Sequence, residues 1–170
     1  GHASEAEWRA VPRLLEELPV RPESLTADTS YSVGELRKYL RDQNITDYIP
    51  IHSKQKSGIA VRQGFEYHED YLICPEGKKL KRSTFYPQDN TFKYRASRKD
   101  CCACPRKATC LPPSEKGRCI KASAYYSEYQ RATELNKTLA YEEEIRKRKT
   151  IIEGIFAYQD RLGWARCKLR

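Results

Sequence analysis

Four cysteines, Cys74, Cys101, Cys104 and Cys110, are the residues whose spacing points most directly to chemistry. The last three follow the pattern C-x-x-C-x5-C, and the first lies well upstream. Two thiolates separated by two residues can reach one metal from a single tight turn, and thiolate is a soft ligand suited to zinc or an iron–sulfur cluster. The spacing therefore predicts a bound metal. Cys102 is an alternative to Cys101, although the two-residue gap to Cys104 favours Cys101.

Two carboxylates also stand out by position. Asp28 ends a predicted strand, which is where α/β sheets place their ligands. Glu153 lies in an apolar stretch, residues 151–156, where a charge is costly unless something positive neutralises it. Together they could hold divalent cations for phosphoryl transfer, for which a third carboxylate is expected. The structural alternatives are a turn cap for Asp28 and an arginine ion pair for Glu153.

The residues before position 54 predict an α/β unit. A helix is expected over residues 5–18, followed by a strand at 24–28. Ser32 and Glu35 form a capping-box pattern that opens a second helix running to about Asp42. Residues 45–51 form a second strand, so the order helix, strand, helix, strand favours parallel pairing.

The rest of the chain changes character. Residues 54–58 are expected to form a linker, 65–95 short β-hairpins leading to the cysteines, and the segment after Ser123 a long helix in one or two pieces. Gly1-His2-Ala3-Ser4 lacks an initiator methionine and is interpreted as a tag remnant. The predicted divisions are 1–4 (remnant), 5–53 (first part of the core), 54–122 (basic cysteine-rich insertion) and 123–170 (helix returning to the core).

The net charge of +9 is unevenly distributed. It amounts to −3 over residues 1–53, +9 over 54–121 and +3 over 122–170. Basic residues interleaved with aromatics indicate a nucleic-acid surface, the alternative being a merely solvated face. The candidate contacts are Lys78, Lys79, Lys81, Arg82, Lys93, Arg95, Arg98, Lys99, Arg106 and Lys107.

Cysteine usage and hydropathy indicate the compartment. The seven cysteines are an odd number grouped at metal spacing, which favours a reducing compartment, with the cytoplasm as the default. No apolar run approaches the roughly 20 residues of a membrane span, so no membrane partner is expected.

Several motifs occur in an order that resembles a known family. They are Val20–Tyr31 (VRPESLTADTSY), Tyr71–Lys78 (YLICPEGK), the cysteine run, and Arg148–Phe156 (RKTIIEGIF). In this order they resemble bacterial insertion-sequence transposases of the DDE type, in the branch with a cysteine-rich insertion. The resemblance implies an α/β fold: a partial RNase H-like core carrying a small cysteine-rich β-hairpin metal-binding subdomain and a long C-terminal helix.

The same resemblance implies roles for individual residues. Asp28 and Glu153 correspond to the second and third members of a Mg²⁺-binding triad that cleaves and joins DNA. The first aspartate is expected to precede this fragment, which alone is expected to be inactive. DNA, as transposon ends and target, is the implied partner. A homodimer is a further possibility. For the cysteines, structural Zn²⁺ is the expectation and a [4Fe-4S] cluster the alternative. A hypothesis from another class is a noncatalytic zinc or iron–sulfur module that binds nucleic acid or a protein.

Overall fold

The computed structural model describes residues 6–52 and 64–163. The chain divides into two compact units. Residues 1–51 and 131–170 form one, called unit 1 below, and residues 52–130 form the other, unit 2. The predicted linker at 54–58 and the predicted remnant at 1–4 lie outside the described residues.

Unit 1 opens with the predicted α/β order. A 3₁₀ turn at Glu7–Ala10 leads into α1 (Val11–Glu16), whose first turn accommodates Pro12 because the first amides of a helix need no partner within it. The elements that follow are β1 (Ser24–Thr26), a 3₁₀ turn (Thr29–Tyr31), α2 (Gly34–Asp42) and β2 (Thr46–Tyr48). β1 pairs with β2 in parallel, Ser24 opposite Thr46, which confirms the predicted pairing.

The core of unit 1 comes from one stripe of α2 and from the residues around β2. Leu36 and Leu40 lie one turn apart on α2 and are buried, with Ile45, Ile49 and Val11 packed in the same cluster. This is the spacing at which a helix presents a continuous apolar face. The stripe therefore fixes α2 against the parallel pair and sets the position of the segment that follows β1.

The predicted capping box of α2 is wrong. The residue that caps the helix is Val33, which makes no side-chain bond to the first turn. Ser32 instead accepts a hydrogen bond of 3.1 Å from Nη2 of the buried Arg37, which also donates to the carbonyl of Ile49 at 2.9 Å. Leaving a buried guanidinium donor without an acceptor costs more free energy than leaving an exposed helix end without a side-chain cap. The Ser32 hydroxyl therefore serves Arg37.

The C-terminal segment is helical in two pieces. The helices are α5 (Tyr126–Leu135) and α6 (Leu139–Arg161). Thr138 separates them: its hydroxyl donates to the Leu135 carbonyl at 2.7 Å and accepts from the Tyr141 amide at 3.2 Å. A threonine that caps the start of a helix favours a new helix over continuation of the old one. The two-piece alternative is therefore confirmed.

Unit 2 is built on a five-stranded antiparallel sheet in the order β3-β4-β5-β6-β7. Its strands are β3 (Glu66–His68), β4 (Tyr71–Ile73), β5 (Lys79–Tyr86), β6 (Thr91–Ala96) and β7 (Cys119–Ser123). Two short helices, α3 (Arg98–Cys102) and α4 (Lys107–Cys110), lie between β6 and β7. The predicted hairpins are confirmed, whereas β7 was not predicted.

One face of this sheet is buried and the other faces solvent. Leu72, Leu80, Tyr94 and Ile120 come from four neighbouring strands and form the buried face. Alternate residues of a strand point to opposite sides of a sheet, so the intervening positions are directed outward. Within the described residues, no helix is both long and apolar enough to cross a membrane.

Candidate functional site

Asp28 lies just after β1 and caps the 3₁₀ turn that follows it. Its Oδ1 accepts hydrogen bonds from the amide of Ser30, at 2.8 Å, and from the Ser30 hydroxyl. These bonds to Ser30, with the nearby Arg148, lower the pKa of Asp28 in spite of its partial burial. Nη2 of Arg148 on α6 lies 3.9 Å from Oδ2. Asp28 is therefore an ionised, half-exposed carboxylate with a cation beside it.

Glu153 lies on the exposed side of α6. Its side chain is 67% exposed, and Oε1 is 3.8 Å from Nζ of Lys149, one turn earlier. The apolar neighbours expected to make this glutamate costly are themselves exposed, Ile151 at 61% and Phe156 at 60%. The expected apolar environment is therefore wrong, because residues adjacent in a helical sequence project in different directions instead of surrounding one another.

The two carboxylates thus have different basic partners on one helix. Arg148 and Lys149 are consecutive, so their side chains leave α6 about 100° apart. In the described parts of the chain, no group of three or more His, Cys, Asp or Glu side chains is placed to hold a metal ion. The site therefore contains two accessible carboxylates, whose oxygens are hard metal ligands, and each carboxylate forms one long ion pair.

Cys74 lies in a tight turn at the end of β4. The Gly77 amide donates to the Cys74 carbonyl at 2.8 Å, and the Cys74 amide donates to Lys78 O at 2.9 Å. Gly77 has φ +72°, a left-handed conformation that glycine adopts without strain. The turn directs the Lys78 amide at the Cys74 sulfur, 3.4 Å away. The turn thus supplies the Cys74 sulfur with a backbone hydrogen-bond donor.

Cys101, Cys104 and Cys110 are carried by the two short helices. Cys101 lies on α3 and accepts a bond from the Arg118 amide at 3.5 Å, while Cys110 ends α4 and its carbonyl accepts from Arg118 Nη1 at 2.9 Å. The neighbouring Cys102 is exposed, whereas Cys101 packs on the core of the sheet. Arg118 therefore ties both helices to the start of β7.

The four predicted cysteines are close enough to influence one another. Burial raises the pKa of the Cys110 thiol, and the charges of Cys101, Cys104 and Cys74 raise it further, against a lowering by Arg118. Cys74, Cys104 and Cys110 also line one cavity of about 700 Å³. The sequence-distant Cys74 is thus brought to the other three, although the described side chains do not stand in metal-holding positions.

The predicted basic residues are divided between different surfaces. Lys79, Lys81, Lys93 and Arg95 occupy outward positions on β5 and β6, while Arg82 covers the ring of Phe92 at 4.7 Å on the opposite side. Arg106 pairs with Glu76 at 3.6 Å. Lys78 lies in the Cys74 turn, and the remaining candidates, Arg98, Lys99 and Lys107, lie on α3 and α4.

Lys121 is a basic residue of the same outward surface that the sequence interpretation missed. It lies on β7 directly opposite Lys93 on β6. The signal was the alternation of Ile120 and Ala122, both buried, with outward Cys119 and Lys121. That pattern is typical of a half-buried strand.

The family of the chain follows from comparison with known proteins. The model of the transposase DDE domain family matches residues 73–170, more than half of the chain. No curated protein and no solved structure matches. The chain belongs to the transposase DDE domain family, and its role is in transposition. Domains of this family generally use Mg²⁺. The matched segment includes the four cysteines and Glu153, whereas Asp28 lies before it.

Proposed function

We propose that the chain contributes Asp28 and Glu153 to Mg²⁺-dependent hydrolysis and strand transfer of DNA phosphodiesters. The observation that carries this proposal is Asp28 itself: an ionised carboxylate directly after a parallel strand, beside α6, in a chain that belongs to a transposase family. Carboxylate oxygens are the donors that Mg²⁺ prefers. Bound Mg²⁺ would activate a water or 3′-hydroxyl and stabilise the leaving oxygen.

The residues of the chain have separate roles in this proposal. The Ser30 amide and hydroxyl hold the Asp28 carboxylate in one orientation, and their hydrogen bonds lower its pKa. Arg148 and Lys149 neutralise the two carboxylates when no metal is bound. A third carboxylate is required, and no such group of three is present in the described residues. We expect Mg²⁺-dependent cleavage from the transposase in which Asp28 and Glu153 act together with that third carboxylate.

The test uses the intact transposase with Glu153→Gln. Glu142→Gln is the matched control, since it makes the same change at an exposed position of the same helix. We expect Glu153→Gln to abolish Mg²⁺-dependent strand cleavage and the control to retain it. Cleavage that survives Glu153→Gln at the parental rate would overturn the assignment of this residue.

We also propose that residues 54–122 form an insertion that binds DNA and is stapled by Zn²⁺ on Cys74, Cys101, Cys104 and Cys110. Support comes from the amide–sulfur bonds at Cys74 and Cys101 and from the mutual electrostatic influence of the four thiols. Amides that hydrogen-bond to ligating sulfurs are a usual second layer of support for thiolate metal sites. Binding would draw the thiols closer together than the described arrangement.

Metal analysis tests whether the four cysteines bind zinc. We expect one zinc per chain in anaerobically purified protein, with no absorption near 400 nm; a strong band in that region, roughly that of thiolate-to-iron charge transfer, would establish the iron–sulfur alternative. Cys104→Ser should lose the metal, whereas Cys102→Ser, at the exposed neighbouring position, should keep it. Full metal content in Cys104→Ser contradicts the ligand assignment.

A noncatalytic metal module is the second candidate. The observation in its favour is that both carboxylates are paired with helix cations and the described residues contain no group of three. Under this alternative, restoring the full transposase would give DNA binding without cleavage. Since bacterial DNA is cytoplasmic, we expect either activity in that compartment.

A further inference from the structure

The outward side of the five-stranded sheet carries a concentrated set of cations. We call it the cationic face and define it by Lys79, Lys81, Lys93, Arg95 and Lys121. All five occupy positions that alternate with the buried residues Leu80, Tyr94 and Ile120. The cationic face is therefore formed by three adjacent strands, β5, β6 and β7.

Like charges lie directly opposite one another on this face. Lys81 is the register partner of Arg95, and Lys93 is the register partner of Lys121. Directly opposite residues have Cβ atoms roughly 5 Å apart, and like charges at that separation destabilise a sheet. Two carboxylates lie at the margins of the face: Glu66 on the edge strand, and Asp89, 3.8 Å from Lys121. The repulsion lowers the stability of the free protein, and a bound polyanion would offset it.

Aromatic rings at both ends of the face position its ammonium groups. Lys79 Nζ lies 4.2 Å from the centre of the Tyr71 ring, and Lys121 Nζ lies 4.2 Å from that of Tyr86. The His68 ring stacks on Tyr71 with centroids 4.5 Å apart. Proteins that bind single strands leave aromatic faces available for bases, whereas these rings already contact a neighbouring cation or ring.

We propose that the cationic face binds the phosphate backbone of duplex DNA without reading its sequence. The proposal rests on the proposed function in that DNA is the substrate, and it specifies the surface. It adds Lys121 to the predicted contacts. It removes Arg82, which covers the Phe92 ring on the opposite side of the sheet, and Arg106, which lies outside the sheet at the start of α4. Binding brings phosphates between like-charged pairs and so relieves their repulsion.

The test compares two triple substitutions in the whole chain. Lys81→Gln/Lys93→Gln/Lys121→Gln removes three charges from the face, and Arg13→Gln/Lys38→Gln/Lys137→Gln removes three exposed charges from unit 1. Anisotropy of a labelled mixed-sequence duplex is followed across a salt series. The slope of log K against log salt is negative, and each lost phosphate contact reduces its magnitude by about 0.9, so three lost contacts reduce it by about 2.7. The face variant should then bind about a hundredfold more weakly at 0.15 M salt.

Several outcomes decide the proposal. An unchanged slope in the face variant, an equal loss in the unit 1 variant, or tighter binding to the single strand than to the duplex each overturn it. If the triple variant does not fold, Lys81→Gln and Lys121→Gln alone should each reduce the magnitude of the slope by about 0.9. Because these are binding measurements, loss of cleavage in Glu153→Gln together with unchanged binding by the face variants would leave the transposase proposal standing and refute only this one.

Discussion

Asp47→Asn tests whether a buried ion pair holds the strand pair that leads to Asp28. Asp47 lies in β2 opposite Leu25 of β1, three residues before Asp28. Its Oδ2 accepts from Arg37 Nη1, and its Oδ1 lies 3.4 Å from Arg131 Nη2. The Arg37 side chain is 0% exposed and that of Asp47 is 3% exposed. Asparagine keeps the shape of the side chain and removes its charge, so the guanidinium groups of Arg37 and Arg131 lose the negative charge at this position.

The magnitude follows from the burial of the pair. Removing one partner of a buried ion pair typically costs about 3–5 kcal/mol, because the remaining charge is left uncompensated. Arg37 retains Ser32 and the Ile49 carbonyl as acceptors, which favours the lower end of this range. We expect about 3 kcal/mol. At roughly 2–4 °C per kcal/mol for a chain of this size, the melting temperature of the chain should fall by about 6–12 °C.

Urea unfolding monitored by tryptophan fluorescence measures this loss. Trp8 packs against the unit 1 core, so a Trp164→Phe background makes it the single reporter. Asp42→Asn is the matched control: it makes the same change in the exposed Arg41–Asp42 pair, whose side chains are 43% and 49% exposed. Exposed pairs contribute less than about 1 kcal/mol. If Asp47→Asn cost no more than Asp42→Asn, the argument from burial would be refuted.

Three further predictions concern acid, charge and thiol chemistry. Because the pKa of Asp28 is lowered in the folded state, its ionised form stabilises the fold above the ordinary aspartate pKa of about 4, and this stabilisation is lost as the pH falls through the folded-state pKa. Asp28→Asn should therefore make the free energy of unfolding depend less on pH below about pH 4. An unchanged pH dependence would contradict the role given to Asp28. Lys81→Glu, opposite Arg95, should raise stability by about 0.5 kcal/mol in thermal melts while weakening DNA binding; a loss of stability contradicts the repulsion argument. In metal-free protein at pH 8, we expect Cys110 to react with iodoacetamide more slowly than the exposed Cys102, because burial raises the pKa of the Cys110 thiol. Peptide mass spectrometry measures both rates, and equal rates would show that burial does not protect Cys110.

The sequence was sufficient where local pattern and burial coincide. The existence of α2 and the parallel pairing of β1 with β2 followed from the sequence, because a helix or strand with one apolar face has few ways to bury it. The capping box failed at Ser32, where the need of a distant residue, Arg37, for acceptors decided the outcome. No local pattern reports a contact of that kind.

Strand β7 and the setting of Glu153 required tertiary information. A five-residue strand is too short for its alternation to stand out, and Lys121 was missed with it. Glu153 looked enclosed because its sequence neighbours are apolar, yet α6 projects those neighbours to different sides and leaves them exposed. Convergence of Cys74 with the later cysteines was predicted from metal spacing, whereas the role of Arg118 in tying α3 and α4 to β7 depends on hydrogen bonds that spacing does not encode.

The ion pairs of Asp28 and Glu153 are compatible with the proposed metal role because they are weak. Their N–O distances are 3.9 and 3.8 Å, and both carboxylates are more than half exposed. Such pairs contribute less than about 1 kcal/mol each, so little free energy opposes their exchange for a divalent ion. Replacing Arg148 by Gln should then strengthen Mg²⁺ binding to the intact transposase, since it removes a competing cation from Asp28. Calorimetric titration would measure this, and weaker Mg²⁺ binding would show that Arg148 supports the site instead of competing for it.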